Sequence, residues 1–192
     1  MLLDLLDKID TDTFASSKIL FPRLLCKQVF AYSHTACKGS YNPSMEAIIQ
    51  VLREKISAAS TFDEACEITV RELRCLVPHF GWVGIYVRQG EELVLTAWDG
   101  PEATQHVRIP VGQGICGLAA RTGETVVVDD VNADPRYLAC FPQTRSEIVV
   151  PIYAGDNVIG EIDIDSDKAN AFTDEDRQLV ERIAATLGGL HP

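Results

Sequence analysis

Two stretches near the C-terminal end, EIVVPIYA (147–154) and VIGEIDID (158–165), decide the fold. Both are rich in β-branched residues and both alternate, so each reads as a strand. Gly155-Asp156-Asn157 between them reads as the turn of a hairpin, which makes the pair antiparallel. Alternation then sorts the side chains. Ile148, Val150 and Ile152 share one face, and Ile162 and Ile164 belong to the same core side. Glu147, Asp163 and Asp165 fall on the opposite side. Taken alone, the alternation favours a plain reading of these three as solvated carboxylates on the wet side of a half-buried sheet, because charged residues are mostly exposed.

Further strands surround this hairpin. GWVGIYV (81–87) and ELVLTAW (92–98) are joined by the turn Arg88-Gln-Gly-Glu91, HVRIP (106–110) is a short strand, and TVVVDD (125–130) is extended. Helical periods flank the strands. MEAIIQVLREKISAAS places Ile48, Val51, Leu52 and Ile56 on one face. Thr61-Phe-Asp-Glu64 reads as a capping box opening a helix with Cys66, Val70, Leu73 and Val77 inward, stopped by Pro78. A short helix after Gly112-Gln-Gly114-Ile-Cys116-Gly117 ends at Gly123. The last helix is capped at Thr173, turns Leu179, Ile183 and Leu187 inward, and ends at Gly188-Gly189. The expected fold is α/β of the α+β kind: an antiparallel sheet, N- and C-terminal helices on one face, and a small-molecule pocket on the other.

The totals narrow the function. The chain has 192 residues, enough for one domain with an appendage, and 46% hydrophobic residues, enough for a real core. A formal charge of -11 with no Lys/Arg cluster argues against nucleic acid. No apolar run approaches the roughly 20 residues of a membrane helix. Asp4 and Asp7 stand where a signal peptide wants positive charge, so a cytoplasmic location is expected. Residues 1–44 lack a clean period beyond a short Leu-rich opening and read as a poorly ordered appendage. Residues 45–192 form the domain, and Met45 is a conceivable internal start.

Six cysteines, at 26, 37, 66, 75, 116 and 140, include no C-x-x-C pair, so no metal site is expected. Cys116 lies at the start of a short helix, where amide donors and the helix dipole favour a thiolate. Cys140 lies in a loop with Arg136 and Arg145, which would also favour one. The competing reading of both is a small buried hydrophobe, and it is stronger for Cys66 and Cys75 on or beside an apolar helical face. Cys26 and Cys37 carry no assignment. His106 stands alone at a strand start. It could assist proton transfer, but the sequence reveals no partner. Gly112-x-Gly114-x-x-Gly117 matches a dinucleotide fingerprint only by letter, without a βαβ setting.

The run GWVGIYV…RIPVGQGICG…DPRYLACFPQTRSEIVVPI…VIGEIDIDS resembles GAF domains and, more narrowly, free methionine-(R)-sulfoxide reductases. The resemblance covers the chain from about Met45 onward. It implies Cys140 as nucleophile and Cys116 as a disulfide partner. It also implies that Glu147, Asp163 and Asp165 hold the substrate and that Trp82 walls the pocket. One departure stands out: the family usually carries a third, resolving cysteine two residues before the Arg of R-I-P, and this chain has His106 there. The implied activity is reduction of free methionine-R-sulfoxide through a Cys140 sulfenic acid and a disulfide, with a thioredoxin-like reductant and no cofactor. The alternative is a non-catalytic GAF module that binds a small ligand or senses oxidation. Homodimerisation through the terminal helices is compatible with either.

Overall fold

The structure, a computed structural model, describes residues 44–191. The appendage expected over residues 1–44 lies, apart from Ser44, outside the described residues. Helix α1 (Met45–Ser57) begins at Ser44, whose hydroxyl accepts from the Ala47 amide at 3.3 Å. It buries Ile49, Leu52 and Ile56, whereas Ile48 and Val51 are only half-buried, so its inward stripe is rotated from the expected one. Helix α2 (Phe62–Leu76) is capped by Thr61 Oγ1 on the Glu64 amide, and it buries Cys66, Val70 and Leu73. The Glu64 carboxylate accepts from the Ser60 amide at 2.7 Å, one residue earlier than a capping box requires. A complete box appears instead at Thr173 and Asp176, which open α4 (Asp174–Gly188).

Six strands form one sheet: β1 (Trp82–Gln89), β2 (Glu92–Asp99), β3 (Arg108–Pro110), β4 (Val126–Val128), β5 (Ser146–Ala154) and β6 (Asn157–Ser166). Their spatial order is β3-β2-β1-β6-β5-β4 and every pair is antiparallel. Both hairpins close through two residues led by a glycine, Gly90 at φ 65° and Gly155 at φ 60°. Positive φ at that first position suits a type II′ turn, whose twist matches the flanking strands. His106 and Val107 precede β3, so the expected strand over 106–110 is shorter and His106 sits in a loop.

The expected division of faces is present. One face carries Val83, Ile85, Ile148, Val150, Ile152, Ile162 and Ile164 against α1, α2 and α4, forming the main core. Each wholly buried branched side chain there is worth about 1.5–3 kcal/mol relative to exposure. Gly188 lets the end of α4 approach β5 closely, since a Cβ there would collide with the Tyr153 carbonyl. The other face carries Trp82, Tyr86 and Val149 under helix α3 (Gly114–Thr122) and the loops before β3 and β5, whose Val131 and Phe141 pack inward. No helix among the described residues is long and apolar enough to cross a membrane.

Candidate active site

Strand register builds the site. Across β1, β6 and β5, one row reads Trp82–Asp165–Glu147, the next Gly84–Asp163–Val149, and the third Tyr86–Glu161–Pro151. The three predicted carboxylates therefore converge, and a fourth, Glu161, joins them. Glu161 obeys the same alternation, one step earlier in VIGEIDID, and so was missed only as a member of the set. None of the four is solvated: Glu147, Glu161, Asp163 and Asp165 are all 4% exposed or less. The plain surface reading of the alternation is overturned because α3 and the long loops close over this face.

Burial leaves these groups under-partnered. Glu147 Oε2, both oxygens of Glu161, both of Asp163, and Asp165 Oδ1 lack a hydrogen bond, as does Trp82 Nε1. Buried polar atoms are ordinarily paired, so such a concentration marks a place prepared for something polar. Loss of water, then mutual repulsion, pushes Glu147 and Asp165 well above the carboxylate range. Asp163 and Glu161 are each pushed up to about 8, chiefly by burial. Near neutrality the site therefore holds protonated carboxyls that can donate, and a cationic ligand would draw them back to carboxylates.

The sulfurs face the same floor. Gly114, at φ 71°, opens α3, and Gly117 lies so close to Pro110 and Gly112 that a side chain would collide with their backbones. This tight turn points Cys116 inward, its Sγ 3.8 Å from Glu147 Oε1. Burial pushes the Cys116 thiol well up, and Asp163 and Glu161 add to it. The thiolate expected from the helix dipole is therefore reversed by the acidic, dry surroundings. Cys140 is half-buried in the loop before β5 and is likewise pushed up by burial, then by Asp163, Asp165 and Glu147. The arginines expected to help it are engaged elsewhere, Arg136 with Asp134 and Arg145 with Asp130. The group that does reach Cys140 is His106, with Nδ1 3.2 Å from Sγ.

Trp82 forms a wall. Its indole covers Gly84 and Gly100, where any Cβ would strike the ring. It stacks on Trp98 at 6.3 Å between ring centroids and leans on Phe141 at 5.6 Å. Among the described residues, Cys116 Sγ and one oxygen each of Glu147 and Asp163 lie within 4.8 Å of one another, a spacing that would fit a metal ion. The same oxygens are equally suited to a substituted ammonium. Two open grooves lie elsewhere. One, of about 490 Å³, is lined by Thr125, Tyr153 and Arg177, and the other, of about 560 Å³, by Val127, Asp129 and Arg136. Neither contains a cysteine or an orphaned carboxylate, so the chemistry points to the acidic face.

Comparison with known proteins places the chain in a family. A family model described as a GAF domain matches residues 57–189. GAF domain-containing protein A of Dictyostelium discoideum is 41% identical over 110 residues, 57% of this chain and 68% of that protein. The solved type II free methionine-R-sulfoxide reductase of Thermoplasma acidophilum is 39% identical, with a TM-score of 0.63, over 74% of this chain and 94% of its own. The free methionine-R-sulfoxide reductase of Neisseria meningitidis, solved in complex with its substrate, is 32% identical. Its TM-score is 0.72, over 80% of this chain and 93% of its own.

Proposed function

This chain belongs to the GAF domain family, and from that premise we propose that it reduces free methionine-R-sulfoxide to methionine. The observation that carries the reading is the meeting of a half-buried thiol, Cys140, with a set of four buried carboxyls, each of which has at least one oxygen without a partner. A free amino acid brings an ammonium group, and Glu147, Asp163 and Asp165 are the groups to receive it. Its arrival supplies the positive charge that the floor lacks and turns costly buried acids into ion-paired carboxylates. Trp82 covers the apolar part of the ligand.

In the chemical step the Cys140 thiolate attacks the sulfoxide sulfur while a protonated carboxyl hydrogen-bonds the sulfoxide oxygen. The attack forms an S–S bond, and the sulfoxide oxygen takes that proton and a second one and leaves as water as the S–O bond breaks. Water then adds to the Cys140 sulfur as the S–S bond breaks, which releases the sulfide and a proton and leaves Cys140 as a sulfenic acid. The thiol sulfur is oxidised by two electrons and the sulfoxide sulfur is reduced by two. Cys116 then displaces hydroxide from that sulfenic acid, forming a disulfide and water. A thioredoxin-like dithiol returns both thiols and is itself oxidised. We read residues 45–192 as the unit that does this, in the cytoplasm, with Cys66, Cys116 and Cys140 resting as free thiols.

The test is NADPH consumption with thioredoxin, its reductase and free methionine-R-sulfoxide. Wild type should turn over and Cys140→Ser should fall to background; equal rates would remove the assignment. One observation favours a second reading, a ligand-binding module without chemistry: burial holds both site thiols protonated in the free protein. Saturable binding of the sulfoxide by calorimetry, with no methionine released, would select it.

A further inference from the structure

We propose that His106 is the proton acceptor that converts the Cys140 thiol into the attacking thiolate, a role that rests on Cys140 being the nucleophile. The neutral ring that carries its proton on Nε2 presents the Nδ1 lone pair to Sγ across 3.2 Å. The Cys140 S–H bond breaks as the His106 N–H bond forms, leaving a thiolate–imidazolium pair and requiring no further reactant. Two contacts hold the ring's backbone in place. The His106 amide donates to Thr104 Oγ1 at 3.1 Å, and its carbonyl accepts from the hydroxyl of the wholly buried Tyr86 at 2.9 Å. Thr104 and His106 thus belong to one short loop that brings the ring to the sulfur.

The surroundings leave the task to this histidine. From β5 and β6, Glu147, Asp163 and Asp165 act on Cys140, and each opposes a negative sulfur. Cys116 from α3, Tyr86 from β1 and Tyr137 from the same loop as Cys140 are the other titratable groups whose charges couple to it, and none can be cationic. Arg136 and Arg145 are paired with aspartates away from the thiol. Among the described residues His106 is therefore the group in contact with Sγ that can become positive. In this pocket a thiolate without it would sit in low dielectric beside acids, the environment that most disfavours it. The position where the resemblance leads one to expect a third thiol is occupied by a base, which leaves Cys116, among the described residues, as the thiol for disulfide formation.

The experiment measures iodoacetamide alkylation of Cys140 by peptide mass spectrometry against pH, and single-turnover methionine release, in full-length wild type and His106→Gln. The glutamine keeps a polar contact but accepts no proton. Alkylation near neutral pH should slow by roughly tenfold or more, a decade of thiolate for each unit of thiol pKa, and its profile should move to higher pH. Methionine release should fall by about 100-fold or more, the usual scale of a lost general base. In His106→Gly, added imidazole should restore part of the alkylation rate, which a purely structural role would not allow. Coincident wild-type and His106→Gln alkylation profiles would overturn the proposal. His106-dependent alkylation with no methionine release by wild type would uphold the base and overturn the substrate reading, so the two failures are distinguishable.

Discussion

The two faces of the sheet are made by the same strands, one residue apart, and they obey opposite rules. Under α1, α2 and α4, Ile162 and Ile164 meet other hydrocarbons and satisfy every demand that burial makes. Under α3 and the loops, Glu161, Asp163 and Asp165 are equally removed from water yet keep oxygens without partners. The first face carries the stability of the fold. The second spends some of that stability to keep polar groups ready, a common division between a scaffold and the site it supports. Burial depth does not distinguish the two faces; whether the buried groups are already matched does.

The harshest way to break this division is to move a charge across it. Ile164→Asp places an unpaired carboxyl in the matched face and should destabilise the domain by roughly 4 kcal/mol or more, read as a collapsed urea midpoint. A protein with an unchanged midpoint would mean that the helix-covered face also tolerates charge.

The pH dependence of the ligand-free protein comes next. Asp163 and Glu161 are raised from ordinary values of 3.8 and 4.5 to about 8. Below pH ~4 each is protonated both folded and unfolded, and neither opposes folding. Between the two values the unfolded chain releases protons that the folded chain keeps, so stability falls as pH rises. The slope is up to about 1.4 kcal/mol per pH unit for each such group. The melting temperature should therefore be higher at pH 5.5 than at pH 8, and a flat profile would show that the acidic face is wetter than its burial implies.

A smaller effect sharpens the trade. Asp163→Asn should flatten that profile and raise the melting temperature. It should also raise KM for the sulfoxide about 10–100-fold, the scale of one charged hydrogen bond. Loss of both stability and affinity would contradict the idea that this carboxyl is kept at a cost. Finally, Cys116→Ser should slow thioredoxin-driven turnover yet leave the first release of methionine near wild type. Unaltered steady-state turnover would take Cys116 out of disulfide formation.

The hairpin, the helices and the division of faces were legible because they depend on local periods of two and 3.6. Alternation placed Glu147, Asp163 and Asp165 together on one side, and the same rule reaches Glu161. What alternation could not reveal was their burial, because that depends on α3 and on loops far along the chain folding back over the sheet. The environment of Cys116 is not legible locally for the same reason: a helix start favours a thiolate, but the carboxylates that reverse it belong to other strands. The contact between His106 and Cys140 joins positions 34 residues apart across two loops. No period relates them, so the sequence offered the histidine without its partner.

The strand order also has a bearing on solubility. The long strands, β2, β1, β6 and β5, occupy the middle, while both outer positions belong to three-residue strands, β3 and β4. An exposed edge invites another chain to add to the ladder, and short, charged edges discourage it. At one border Arg108 and Glu92 form an ion pair at 2.9 Å beside the brief pairing of β3 with β2. The chain leaves β3 to build the turn of Cys116 and leaves β4 for the loop of Cys140. The excursions that cover the acidic face are thus the same ones that cut the borders of the sheet short. Lengthening either border strand to firm up the fold would straighten the approach to a cysteine and expose a template for self-association.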